Sequence, residues 1–261
     1  MKTINVMIAL LILLISSTGI AQTIKRDVIG ASGKVMTNGT TRLSFTTGEV
    51  MTKKVSASGL TIHEGFQQNL LLRISIKAFL QGYYTTAGSM QNVLYNQGIT
   101  ALPGNECDSL IIQLRGSVAP YTVVYQTKEI IQTNGMIDVK PTVQAGQSYY
   151  IVLKGRNILE TWSASPVTLA SVTNYDFTTS ANKAYANKQV QMAPSVWAIY
   201  SGDLNNDENI DLLDATMQEA DIENFVFGYF ATDINGDGNV DLLDQPTLET
   251  NINDFVFAEH P

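Results

Sequence analysis

The chain has 261 residues, 44% apolar and 15% charged, with a formal net charge of −8. This composition describes a folded chain of one to three domains and excludes a disordered one. Its single cysteine, Cys107, excludes an internal disulfide. No Lys/Arg cluster carries interleaved aromatics, which argues against nucleic-acid binding.

Residues 1–21 read as a signal peptide. Lys2 supplies the positive start, and Val6 to Ile15 is an apolar run too short to span a bilayer. Gly19 and Ala21 give the small residues of a cleavage site, so the mature chain is expected to begin at Gln22 and to be exported, to the cell surface or beyond. No later stretch is long enough for a membrane helix.

Residues 22–70 form a β-rich leader segment, in which Arg42 to Thr47 and Leu60 to Glu64 alternate polar and apolar residues. Residues 71–200 are expected to form a β-sandwich domain. Leu72–Phe79, Leu110–Arg115, Tyr121–Gln126 and Tyr149–Lys154 alternate, and shorter candidates are Glu160–Ser163, Val167–Leu169 and Tyr175–Phe177. Glycines break these runs at hairpin-like intervals, the pattern of an immunoglobulin-like sandwich. Tyr83, Tyr84, Tyr149, Tyr150, Trp162 and Trp197 could stack on a glycan. Alternation turns about half of such residues inward, so core packing is the default.

The groups an enzyme needs are scarce. The two histidines are His63 and His260, and neither has a nucleophile in motif context. The nine acids of residues 22–202, Asp27, Glu49, Glu64, Glu106, Asp108, Glu129, Asp138, Glu160 and Asp176, form no recognisable pair. The expectation is a chain without catalysis.

Residues 201–261 carry the strongest signal. Residues 203–261 hold 15 acids and no Lys or Arg, whereas residues 22–202 carry a net +6. Two twelve-residue stretches, 203–214 and 233–244, lie 30 residues apart and agree at eight positions. The repeat continues past them, with Ile222, Phe225, Val226 and Phe227 recurring as Ile252, Phe255, Val256 and Phe257. Oxygen-bearing residues fall where a calcium loop needs ligands, at positions 1, 3, 5, 7, 9 and 12. In loop one these are Asp203, Asn205, Asp207, the carbonyl of Asn209, Asp211 and Asp214. In loop two they are Asp233, Asn235, Asp237, the carbonyl of Asn239, Asp241 and Asp244. Two Ca²⁺ ions are therefore expected. A helix should follow each loop, with Leu212, Leu213, Thr216, Met217 and Ala220 on one broad face and Pro246 in the first turn of the second. Phe225, Phe227, Phe255 and Phe257 are expected to pack together in a small core. Position 6 is Gly238 in loop two but Glu208 in loop one, where the turn favours positive φ, so loop two should bind more tightly.

The doubled loop resembles the dockerin type I repeat, in which each calcium loop is followed by a helix. The likeness covers about residues 203–257. It implies a mainly β protein with a small C-terminal α-helical calcium-binding module that docks a protein partner. Dockerins that bind cohesins show small hydroxyl residues at loop positions 10 and 11. Here both repeats have Leu-Leu (Leu212, Leu213, Leu242, Leu243), so a cohesin partner does not carry over. The segments Ser44–Val50 and Glu64–Gln68, with the run into the tail, resemble exported surface proteins of Gram-negative bacteria in which a similar β region precedes a dockerin-like tail. The expected function is an exported, non-enzymatic calcium-binding surface or secreted protein. The alternative is a carbohydrate-binding adhesin or an accessory of polysaccharide degradation.

Overall fold

The computed structural model describes the backbone of residues 32–38, 41–47, 54–57 and 60–63, and all of residues 72–261. The signal segment lies outside the described residues. The chain divides into two compact units, Met1–Asn69 and Leu70–Pro261.

The first unit contains two antiparallel hairpins. One pairs β1 (Ser32–Asn38) with β2 (Thr41–Thr47), and the other pairs β3 (Lys54–Ala57) with β4 (Leu60–His63).

The second unit is built on two facing sheets. In β5 (Arg73–Lys77), alternation buries Ile74 and Ile76 and leaves Arg73 exposed. A short helix, α1 (Val93–Asn96), then leads to β6 (Glu106–Gly116) and β7 (Val123–Gln132). Next come β8 (Met136–Val139), β9 (Ser148–Lys154), β10 (Thr161–Trp162), β11 (Val167–Thr168) and β12 (Val172–Asp176). One sheet runs β12-β5-β8, and the other β10-β9-β6-β7 with β11 also on β9. Ile74, Ile76, Ile137 and Val139 from the first sheet share one core with Leu110, Ile112, Leu114, Ile151 and Leu153 from the second. That shared core makes the region a β-sandwich. Its topology departs from the all-antiparallel immunoglobulin pattern in one pairing, since β12 runs parallel to β5. The turn from β7 to β8 needs a glycine. At Gly135 φ is 82°, and a Cβ there would lie 2.4 Å from the carbonyl oxygen of Ala78.

A last hairpin, β13 (Val190–Ala193) with β14 (Val196–Ala198), runs into the tail through buried Ile199. The tail holds two helices, α2 (Leu212–Glu223) and α3 (Gln245–Asn253), one after each loop, with Pro246 in the first turn of α3. A second core gathers Leu204, Ile210, Ile234, Leu248 and Val256 around Leu159, which comes from the segment between β9 and β10.

Two expectations about the tail are corrected. The face of α2 carrying Leu212, Leu213 and Met217 is exposed, and the helix buries Asp214 and Gln218 instead. The four phenylalanines do not form a core: Phe225, Phe227 and Phe255 are 86%, 75% and 83% exposed, and Phe257 is 44% exposed. The interior is filled by the shorter Leu204, Ile210, Ile234, Leu248 and Val256, so the aromatic rings stand outside it.

Candidate metal centre

Each loop is shaped by its own backbone amides. In loop one, Asp203 accepts from the amides of Asp207 and Glu208, both at 3.2 Å. Asn205 Oδ1 accepts from Asp207 N at 2.9 Å, and Asp207 Oδ1 from Asn209 N at 3.0 Å. Asp214 Oδ1 accepts from Leu204 N at 2.8 Å and its Oδ2 from Asp211 N at 2.9 Å. Loop two repeats the arrangement. Asp233 accepts from Gly236 N and Gly238 N at 2.8 Å, Asn235 from Asp237 N, Asp237 from Asn239 N, and Asp244 from Asn235 N and Asp241 N. Asp and Asn are the residues whose short side chains reach amides two residues on, so the sequence itself winds the loop.

The position-9 aspartates have a structural task. Asp211 Oδ1 accepts from Leu213 N at 2.7 Å and completes a capping box with Asp214 at the start of α2. Asp241 accepts from Leu243 N at 2.8 Å. At position 8, Ile210 and Val240 are each hydrogen-bonded across the repeats. Ile210 N donates to Val256 O and Val240 N to Val226 O, so each loop pairs with the end of the other repeat.

The electrostatics of the loops are costly. Asp203, Asp214, Asp233 and Asp244 are all buried. Burial, and then the charge of Asp214, pushes Asp203 up to about 7. Burial raises Asp244 to about 6, with Asp233 adding to it. Asp214 and Asp233 also rise, chiefly through burial. Residues 203–261 contain no Lys or Arg that could offset this charge. Buried carboxylates of this kind call for a proton or a cation.

The donor set is oxygen only, which suits a hard cation such as Ca²⁺ and not a thiolate- or imidazole-seeking metal. Among the described residues, no three His, Cys, Asp or Glu side chains converge on one point. Asp211 is turned to the start of α2 and Asp241 to the turn before α3, and two of the six expected ligands in each loop are an asparagine side chain and a carbonyl. The oxygen donors of each loop are thus spread over carboxylate, amide and main chain.

No protein-family model matches the sequence, and no curated protein does. Among solved structures, the chain is similar to two mutants of a type II cohesin–X–dockerin complex from Acetivibrio cellulolyticus. One is a C-terminal interface mutant, at 14% identity and a TM-score of 0.44. The other is an N-terminal interface mutant, at 14% identity and a TM-score of 0.42. Each match covers 69% of this chain and 95% of the other.

The other candidate residues are dispersed. Tyr83, Tyr150 and Trp162 are buried, and Tyr84, Tyr149 and Trp197 are half-buried, so the six make no common exposed face. Trp162 packs edge-on against Tyr121 and Tyr150, with the His260 ring stacked on it at 5.4 Å. The side chain of His63 lies outside the described residues. Glu160 and Asp108, the two buried acids of the sandwich, are ion-paired with Lys154 and Arg156 respectively. Among the described residues, no helix is long and apolar enough to cross a membrane.

Sequence reasoning missed Gln97 and Asn157, which bond to loop two, and Arg156, Asp108 and Tyr229, which stand behind Gln97. They come from distant parts of the chain and share no motif. The only hint was glycine at positions 4 and 6 of loop two, where loop one has Asn206 and Glu208.

Proposed function

We propose that this is an exported, non-enzymatic docking protein whose tail is held together by two Ca²⁺ ions and presents a doubled apolar surface to a protein partner. Asp203, Asn205, Asp207, Asp214 and the carbonyl of Asn209 would hold one ion, with Asp211 supplying the remaining oxygen. Asp233, Asn235, Asp237, Asp244 and the carbonyl of Asn239 would hold the other, with Asp241 in the corresponding place. The ions would neutralise the buried carboxylates and add binding energy to folding.

The observation that carries the docking reading is the exposure of Phe225 and Phe255. Each follows the C-cap residue of its helix with φ of 52° and 51°, a left-handed conformation costly for a bulky side chain. Strain and exposed apolar surface, repeated at the same place in both copies, favour binding over folding as their reason. Leu212, Leu213, Phe227, Leu242 and Leu243 extend the exposed apolar surface in both repeats. A groove of about 390 Å³ runs beside loop one, lined in part by Ile210, Leu212, Ile252, Phe255 and Phe257.

The test has two arms. Calorimetric titration should find two Ca²⁺ per chain. Capture from an envelope fraction should require Ca²⁺ and fail for a Phe225→Ser, Phe255→Ser double variant. A chain that binds no Ca²⁺ at millimolar concentration removes the first half of the reading. Capture indifferent to both EDTA and the double variant removes the second.

A further inference from the structure

Loop two is in contact with the sandwich in a way that loop one is not. Gln97, immediately after α1, donates Nε2 to Asp233 Oδ2 at 2.5 Å. Its Oε1 accepts from Arg156 Nη2 at 2.9 Å. Arg156 is fixed in turn by Asp108, to which Nε donates at 2.9 Å, and by Tyr229, whose ring centre lies 4.4 Å from the guanidinium carbon. Asn157 Nδ2 donates to the carbonyls of Ala231 and Asp233 at 3.1 and 3.3 Å, and Asn96 Nδ2 to that of Gly236 at 2.9 Å. The backbone is pressed close as well. A Cβ at Gly238 would lie 2.4 Å from Asn96 O, and one at Gly236 would lie 2.5 Å from Val93 Cγ2. In loop one, the hydrogen bonds accepted by Asp203 come from Asp207 N and Glu208 N, both within the loop.

From this geometry we infer that Gln97 is a positioning residue for an ion in loop two, so that the affinity of this site depends on a sandwich side chain while that of loop one depends on the tail's own groups. The inference rests on the reading of the loops as calcium sites. Asp233 is the first ligand of loop two, and a carboxylate free to rotate must be ordered when an ion binds. Gln97, held by Arg156, orders it beforehand and leaves an Oδ1 lone pair free of the sandwich. Partners that orient a ligand in this way typically change metal affinity by roughly 10–100-fold. Linkage makes the effect reciprocal: an ion that prefers the ordered Asp233 strengthens the contact with Gln97 by the same factor.

The experiment is a calorimetric Ca²⁺ titration of the full mature chain and its Gln97→Leu variant. In the variant one site should weaken by roughly 10–100-fold and the other should keep its affinity. Two unchanged sites, or equal weakening of both, overturn the inference and leave the calcium reading standing. A wild-type chain that binds no Ca²⁺ overturns that reading itself. A second measurement needs no variant. Amide exchange in the wild-type chain should slow on adding Ca²⁺ at residues 93–97 and 156–157 as well as in loop two. Protection confined to residues 203–261 shows that the ion does not act across the interface.

Discussion

Phe225 and Phe255 occupy the left-handed position after the C-cap, which helices that end this way usually give to glycine. In both repeats the residue after the C-cap donates to the carbonyl three residues back, and the next residue donates to the carbonyl five back, a complete Schellman motif. Glycine would adopt this conformation without strain. Phe225→Gly should therefore stabilise the tail by about 1 kcal/mol in urea unfolding, and Phe255→Gly likewise, while both lose partner capture. Destabilisation by either would show that the rings contribute to the fold. Position 6 of the loops makes a second pair of predictions. Glu208 and Gly238 both have positive φ, 74° and 95°. Glu208→Gly should be neutral or stabilising by up to about 1 kcal/mol, since relief of backbone strain outweighs the loss of an exposed contact with His260 at 3.2 Å. Gly238→Ala should destabilise by more than that, because its methyl group meets the Asn96 carbonyl. Equal effects at the two positions would sink the argument. The sequence reading explained Gly238 by backbone freedom alone. It had no access to the close approach of α1, because that contact joins residues about 140 positions apart.

Periodicity reveals an element far better than it reveals what the element faces. Leu72–Phe79, Leu110–Arg115 and Tyr149–Lys154 are legible as strands from their alternation, and β5, β6 and β9 lie there, although β9 buries both faces from Tyr150 to Leu153. The second half of β7 carries the polar residues Thr127, Lys128 and Glu129, half-buried or exposed, and reads less clearly, and the four residues of β8 are too few to show a period. The apolar stripe of α2 is present, but it faces solvent. A helix in an isolated domain would turn that stripe inward. Here the interior side is fixed by Asp214, which caps the helix and receives the amides of Leu204 and Asn205. The loop, and not the stripe, sets the rotation of the helix. In the sandwich the usual rule holds, so Ile112→Ala in β6, at a fully buried site, should cost about 2–5 kcal/mol in urea unfolding. A cost below about 1 kcal/mol would mean that the facing sheets do not share the core described above.

At the scale of the whole molecule, the sequence marks a sandwich region and a tail by composition, and Leu70–Pro261 clusters as one compact unit. The change of composition near residue 203 coincides with the two acidic loops and not with a break in packing. Leu159 sits in the core of the tail, Asn251 donates to Ser201 O at 2.6 Å and Gln81 Oε1 at 2.8 Å, and the Lys188 ammonium lies 2.9 Å from Glu259. A unit sharing core and polar contacts in this way should unfold in one step, so an ion bound in the tail must stabilise the sandwich too. At free Ca²⁺ about 100 times the dissociation constant, each site adds about 2.7 kcal/mol to the folded state. Thermal unfolding of the mature chain, followed through near-UV signals of the sandwich residue Trp162, should therefore shift upward with Ca²⁺ together with the far-UV signal of the helices. Deleting residues 203–261 should lower the sandwich transition even in the absence of Ca²⁺, because Leu159 is uncovered and Arg156 loses the carbonyl of Phe230 and the ring of Tyr229. Two separate transitions, with the Trp162 signal indifferent to Ca²⁺, would show instead that the tail is a passenger on an independently stable sandwich.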